Sequence, residues 1–279
     1  MTSAALFQGD RVIDSPYLAK PGKKINLSDY DTADTGKFKD KTEAAKVMAH
    51  DLKTLKKQQN VLYAQAKHSV LIVLQAMDTG GKDGAIDHVF SGVNPQGCNV
   101  NSFKQPTPLE AKHDFLWRCH AAAPARGMIE IFNRSHYEDV LVVRVHELVP
   151  KTVWERRYDQ INNFEKLLAE EGTTIIKFFL HISKAEQKAR IQRRLDDHNR
   201  TWKFDPNDLK ERKLWDQYQA AYTDAIRKCS TAHAPWYIVP SDHKWFRNWV
   251  ISDTIVRTLD KLKLKFPKAQ ENLDGVKVE

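Results

Sequence analysis

The sequence predicts an α/β fold with a parallel sheet, on three observations. Continuous apolar runs recur at 69–75, 128–132 and 174–182, as strands buried on both faces of a parallel sheet require. Segments of helical character lie between and around them, at 85–91, 109–123, 153–171 and 185–195, and such alternation implies right-handed crossover units. The 279 residues are 41% hydrophobic and 29% charged, ordinary globular values that exclude wholesale disorder and suit one large domain or two small ones.

Each element follows in order. The first forty residues are polar and turn-rich, punctuated by Pro16, Pro21 and Gly22, and read as an arm lying on the surface of the fold. From 42 to 65, Ala45, Met48, Leu52, Leu55 and Leu62 recur at helical spacing, with Lys53, Lys56 and Lys57 on the solvent side. The strand at 69–75 follows. Shorter strand candidates lie at 99–103 and 236–239. Asp205-Pro206 opens a further helix carrying Trp215, Tyr218 and Tyr222, aromatics read as packing. The sequence holds no internal repeat and no low-complexity segment.

Lys plus Arg is 44 and Asp plus Glu is 36, so the net charge is 44 − 36 = +8. That balance favours an anionic partner: nucleic acid, an acidic membrane surface or a polyanionic small molecule. No apolar run is long enough to span a bilayer. Residues 1–10 lack the charged start and apolar stretch of a secretory signal. The cysteines, Cys98, Cys119 and Cys229, form no Cys-x-x-Cys pair, which predicts reduced thiols in a cytoplasmic protein without a disulfide framework or zinc site.

The segment after the first long strand carries the chemistry. It reads Gln75-Ala76-Met77-Asp78-Thr79-Gly80-Gly81-Lys82-Asp83-Gly84 and runs into a helical pattern. A glycine-rich turn between a buried strand and a helix lets backbone N–H groups wrap an anion. The helix N-terminus adds positive potential, and a lysine reaches the transferred phosphate. The strict P-loop pattern is departed from twice: Ala76 stands at the first glycine and Asp83 at the hydroxyl residue. An ordinary strand-to-helix turn is the alternative. Without Ser or Thr, a hard cation such as Mg²⁺ would take Asp78 as its local ligand.

Two further clusters belong with it. At the end of the third strand, Asn133-Arg134-Ser135-His136-Tyr137-Glu138 puts Asn133 where related loops hold an acid for the metal. Arg134 would point a guanidinium into the crevice where open parallel sheets bind ligands, a structural Arg–Glu pair being the alternative. After the strand at 174–182, Ser183 with Glu186 makes a capping box. Arg190, Arg193 and Arg194 then share one helix side, with Arg200 and Lys203 beyond. They suit a lid closing over phosphates, or a solvated face.

Together these residues resemble the second polyphosphate kinase family, P-loop phosphotransferases acting between inorganic polyphosphate and nucleotides. The resemblance runs from about 25 to 249. It rests on the strings from Met77 to Gly84, Gly92 to Gly97, Ser102 to Gln105, Phe132 to Ser135, Ile182 to Lys184 and Ala234 to Trp236. It implies a three-layer α/β/α P-loop kinase fold, thymidylate-kinase-like, with a parallel sheet and a helical lid. It also implies Mg²⁺ dependence, with Asp78 and Asn133 as ligands, and a homo-oligomer, dimer or tetramer. On this chain Asp78, Lys82, Asn133, Arg134, Arg190 and Arg194 match the family's catalytic positions. Gly80, Gly81, Asp83, Gly84, Lys104 and Arg193 fall to phosphate or polyphosphate binding, a solvated loop lysine being the alternative for Lys104. Asn133 with Glu138 looks like the branch that phosphorylates both AMP and ADP, which makes Glu138 a specificity residue. The partners expected are polyphosphate and adenine nucleotides, with guanine nucleotides left open, and neither nucleic acid nor membrane. The domains expected are an arm and helix over 1–66, a phosphotransferase domain over 67–260 with its lid at about 183–232, and a tail over 261–279. An ATP-dependent nucleoside or nucleotide kinase of the same fold is the alternative. A nucleic-acid-binding protein would fit the charge, but no zinc finger, RNP motif or basic zipper is present.

Overall fold

The computed structural model describes residues 12–268. The stretch 1–10, read as signal-free, and most of the tail expected over 261–279 lie outside the described residues. In chain order the elements are β1 (Leu18–Ala19), α1 (Lys41–Gln65), β2 (Ser69–Ala76), α2 (Lys82–Phe90), β3 (Cys98–Ser102), α3 (Trp117–Ala121), β4 (Ile129–Asn133) and α4 (Val142–Val145). Then come α5 (Lys151–Glu170), β5 (Thr173–His181), α6 (Lys184–Asp196), α7 (Asn207–Lys213), α8 (Trp215–Cys229), β6 (Trp236–Pro240) and α9 (Lys244–Lys261).

The six strands form one sheet in the order β1-β6-β5-β2-β4-β3. Every pairing is parallel except that of β1 with β6. The apolar strands occupy the middle because both their faces are covered: β2 and β5 are buried at every position. Leu71 and Val73 of β2 face Tyr158, Ile161 and Phe164 of α5 and Tyr222 and Ile226 of α8. Val70, Ile72 and Leu74 face Leu55 and Leu62 of α1 and Phe246, Ile251 and Ile255 of α9. Helices on both faces of one sheet make three layers. Leu74 pairs with Asn133 and Asn133 with Ser102, so the carboxyl ends of β2, β4 and β3 line up along one edge. The connections diverge on either side of β2, which opens a crevice at that edge.

A charged network lies in the core. Lys177, midway along β5, donates to Glu165 on α5 at 2.5 Å, to the Tyr137 hydroxyl at 2.7 Å and to the Cys229 carbonyl at 2.7 Å. Glu165 also meets His136 at 3.1 Å and Tyr137 at 2.9 Å. Burial opposes the Glu165 charge, but Lys177 and the His136 bond outweigh it and hold the carboxyl below its ordinary range. The network ties the turn after β4 to the sheet and to α5.

Several expectations are corrected. The arm is in part built in: β1 extends the sheet, and Ile13, Tyr17, Leu18, Ala19, Ile25, Leu27 and Phe38 are buried. Its apolar residues follow no period, so they read as surface. The helix expected over 109–123 is broken. Glu110–Lys112 form a single 3-10 turn, His113 is extended, and Asp114 accepts from the Leu116 N–H to restart the chain as α3. The helix after Pro206 is two, α7 and α8, parted at Leu214, which leaves the helical region without Pro or Gly to announce it. Along α1 the buried seam is Ala44, Asp51, Leu55, Gln59 and Leu62, so Ala45 faces solvent. α9 was not anticipated, although Phe246, Val250, Ile251, Ile255 and Leu259 have helical spacing.

Candidate active site

The loop between β2 and α2 is shaped by its glycines. A Cβ at Gly80 would lie 2.5 Å from the Ala76 Cβ and 2.8 Å from the Met77 carbonyl, so no other residue fits the turn. Gly81 has φ +98° and precedes α2 without a side-chain cap. The first N–H groups of α2 are therefore left to bind an anion.

Lys82 is buried, its Nζ 3.4 Å from the Ala76 carbonyl. Burial and then Arg134 push its ammonium below the ordinary lysine value, while Asp78, Glu138 and Asp83 oppose the shift. A phosphate arriving here would favour the charged ammonium.

Arg134 follows β4 in a left-handed conformation, φ +63°, its N–H bonded to the Leu74 carbonyl. That turn aims its guanidinium across the crevice, where it meets Asp78 at 3.1 Å and Glu138 at 3.8 Å. Burial opposes the Arg134 charge, but Glu138 and Asp78 outweigh it and leave its pKa above the ordinary value. Burial pushes the Glu138 carboxyl up, against the pull of Arg134 and Lys82. The Arg–Glu pair foreseen as the structural alternative exists, but within the cleft.

That cleft, about 570 Å³ and open to solvent, is walled by Asp78, Lys104, Arg134 and Glu138, by Phe103 and Val142, and by Tyr218 and Tyr222 from α8. Asn207, Asp208 and Glu211 of α7 close another side. Burial, then the nearby Asp78 charge, raises the Asp208 carboxyl to about 6.

The structure thus brings Asp78, Lys82, Arg134 and Glu138 together, with Lys104 on the same wall. It sends others elsewhere. Asn133 donates to Asp83 at 2.8 Å. Arg190 is buried; it donates to the carbonyls of Thr79 (3.2 Å), Gly80 (2.9 Å) and Ser241, and pairs with Glu186. It therefore holds the phosphate loop by its backbone. Arg193 pairs with Glu186 and Arg194 with Asp208, and neither lines the cleft. Sequence reasoning missed Gln187, which donates to the Asp78 carbonyl at 3.0 Å, and Arg247, buried against Gly81. It also missed the place of Tyr218 and Tyr222 on the cleft wall. Gln187 lies one turn before Arg190, so the α6 pattern could have shown it. Arg247 had no such signal.

The donor set suits a loosely held hard cation. Among the described residues no three acidic, His or Cys side chains converge into a cage. Asp78 and Asp83 flank the phosphate cradle, and Asn133 stands against Asp83. One or two carboxylates beside a phosphate site is how Mg²⁺ is bound, with waters and substrate phosphates completing its shell.

The chain matches the family model described as polyphosphate kinase 2 over residues 37–267. An AMP/ADP-polyphosphate phosphotransferase of Meiothermus ruber is 50% identical to it over 94% of this chain and 99% of that one. An ADP-polyphosphate phosphotransferase of Rhodopseudomonas palustris is 43% identical over 88% of this chain and 90% of that one. The crystal structure of polyphosphate kinase 2 from Arthrobacter aurescens TC1 superposes with a TM-score of 0.88 at 39% identity, covering 94% of this chain and 97% of that one.

Proposed function

The chain belongs to the polyphosphate kinase 2 family, and we propose that it transfers the terminal phosphate of inorganic polyphosphate to AMP and to ADP, making ADP and ATP. The observation that carries this is the meeting of Lys82, Arg134, Asp78 and Glu138 beside an uncapped helix start. The name of the Meiothermus relative supports the pair of acceptors.

Phosphoryl transfer is chiefly positioning and charge stabilisation. The N–H groups of the loop hold the donor phosphate. Lys82 neutralises the transferred group, and Arg134 meets it from the acceptor side, its guanidinium oriented by Asp78 and Glu138. Mg²⁺ would be held by Asp78, Asp83 and Asn133, and would neutralise phosphate charge when bound. A carboxylate repels phosphate, so Asp83 fits the metal better than the phosphate contact first expected of it. The mixed wall of Phe103, Val142, Tyr218 and Tyr222 accommodates a nucleoside. The helices α6 and α7 act as a lid that excludes water from the donor, whereas α8, expected within that lid, packs Tyr222 and Ile226 into the core beneath the sheet. Adenine nucleotides are the proposed acceptors, guanine nucleotides a secondary class, and the working form is a cytoplasmic homo-oligomer, dimer or tetramer.

The test is to incubate the protein with AMP, Mg²⁺ and polyphosphate, without ATP, and resolve the nucleotides over time. ADP followed by ATP is the expected result. No product from AMP, or turnover only when ATP is supplied, overturns the reading.

A further inference from the structure

Arg247 on α9 is 2% exposed, and no carboxylate among the described residues pairs with it. Its Nε and Nη2 both donate to the Asn248 side chain, at 3.0 and 2.7 Å, and no acceptor among the described residues takes Nη1. That free Nη1 rests on the phosphate loop: a Cβ at Gly81 would lie 2.1 Å from it, and one at Gly84 would lie 3.7 Å from Nη2. Burial, and then the like charge of Arg190, lower the guanidinium to about 9. Arg190 differs, since carbonyls and Glu186 satisfy it. A buried charge without a counter-ion is costly, and its retention calls for an anion in the working state.

A second observation points the same way. Lys244 lies one turn before Arg247, and after burial the groups that depress its ammonium are Arg190, Arg193, Arg247 and Arg200, all cations. Arg193 and Arg200 are more than half exposed, each with one carboxylate, Glu186 and Asp197. None of these five lines the cleft that holds Arg134 and Glu138. Cations of α6, α9 and the turn after α6 therefore gather on the Gly81 side of the loop, and none of them lines the proposed nucleotide cleft.

We propose that Arg247 and Lys244 form an anion-binding strip for the polyphosphate chain, Arg247 donating through Nη1 to a phosphate oxygen beside Gly81. The proposal rests on polyphosphate being the donor. A polyanion longer than a nucleotide suits a group of cations that lies outside the cleft lining.

The test compares R247M, R247K and K244Q with the wild type. It measures KM for long polyphosphate and for AMP, and melting temperature with and without polyphosphate, inorganic phosphate serving as control. Loss of a charge-assisted hydrogen bond should raise the polyphosphate KM of R247M roughly tenfold or more, with little change in the AMP KM. R247K should recover part of the loss. Without ligand, R247M should melt no lower than the wild type, because the removed charge was unpaired, but polyphosphate should stabilise it less. K244Q, a solvent-side change that leaves the fold alone, should raise the polyphosphate KM selectively and flatten its salt dependence. Unchanged polyphosphate KM and stabilisation in both R247M and K244Q would overturn the proposal, as would equal effects on AMP. A wild type that is stabilised by polyphosphate yet phosphorylates nothing with it defeats the functional reading and leaves the binding strip standing.

Discussion

Replacing Lys82 by methionine separates catalysis from folding at one atom. Methionine keeps most of the buried stem, so the packing at the start of α2 survives. What is lost is a buried positive charge at the crevice, its Nζ 3.4 Å from the Ala76 carbonyl. Two unit charges about 4 Å apart at an effective dielectric of about 20 interact by about 4 kcal/mol. Loss of a fixed electrostatic stabiliser costs roughly 10²–10³ in rate, about 3–4 kcal/mol. The two routes agree, so kcat for ADP formation from AMP should fall by two to three orders of magnitude. The ligand-free protein should behave oppositely. Burial depresses the Lys82 ammonium, so removing the charge relieves a cost and the melting temperature should hold or rise. Product analysis on the nucleotides, with thermal unfolding of the same preparations, measures both. A folded K82M turning over within about tenfold of the wild type refutes the assignment of Lys82 to the transferred phosphate.

E138N should shift the ratio of AMP to ADP phosphorylation, because Glu138 orients Arg134 inside the cleft; initial rates with each acceptor decide it, and an unchanged ratio reduces Glu138 to a structural residue. G80A forces a Cβ against Ala76 and the Met77 carbonyl and should cost about 1–3 kcal/mol of stability together with activity, read by denaturant unfolding. Chelation should stop turnover, and D78N should raise the Mg²⁺ concentration needed for half-maximal rate; full activity in excess chelator would exclude a metal. Asp51 is buried on α1 beside Asp253, and burial followed by that charge raises its carboxyl from 3.8 to about 6. The folded state binds this proton more tightly than the unfolded one, so the group's contribution falls as pH rises from about 4 to about 6. D51N should therefore melt above the wild type at neutral pH, with the difference closing below about pH 4, and a pH series of melting temperatures tests it.

The middle of the sheet was legible because its strands are buried on both faces and so are apolar without interruption. The loop from Asp78 to Gly84 and the Ser183 cap were legible because their chemistry is local: Ser183 does accept from the Glu186 N–H at 3.0 Å, but the expected box is only half made, since the Ser183 N–H goes to Asp242 and the Glu186 carboxylate to Arg190 and Arg193. Arg134 was legible from its place after β4. Contacts made between elements were not. Asn133 against Asp83, and Arg247 against Gly81, join segments far apart along the chain, and neither residue's neighbours in sequence hint at the partner. The role expected of Arg190 shifted for the same reason. Helical spacing gave its face, but only the packing of α6 on the loop shows that this face meets the carbonyls of Thr79 and Gly80. Asp114 and Leu214 broke helices by local geometry that apolar periodicity does not register.

The charged network in the core has a consequence for how this sequence can change. Lys177, Glu165, Tyr137 and His136 share one set of hydrogen bonds, so removing one charge strands the other at a cost of about 3–5 kcal/mol. Replacing Lys177 and Glu165 together by apolar residues of similar volume is often neutral or favourable in such pairs. The two positions are therefore strongly epistatic: the viable alternatives lie two substitutions away, across a valley that single steps do not cross. Because His136 and Tyr137 stand between Arg134 and Glu138 in the chain, that valley also isolates the crevice. Libraries that diversify the acceptor side one codon at a time will recover little around 136–137. Libraries that vary 165 and 177 together with 136 and 137 cross that valley in one step.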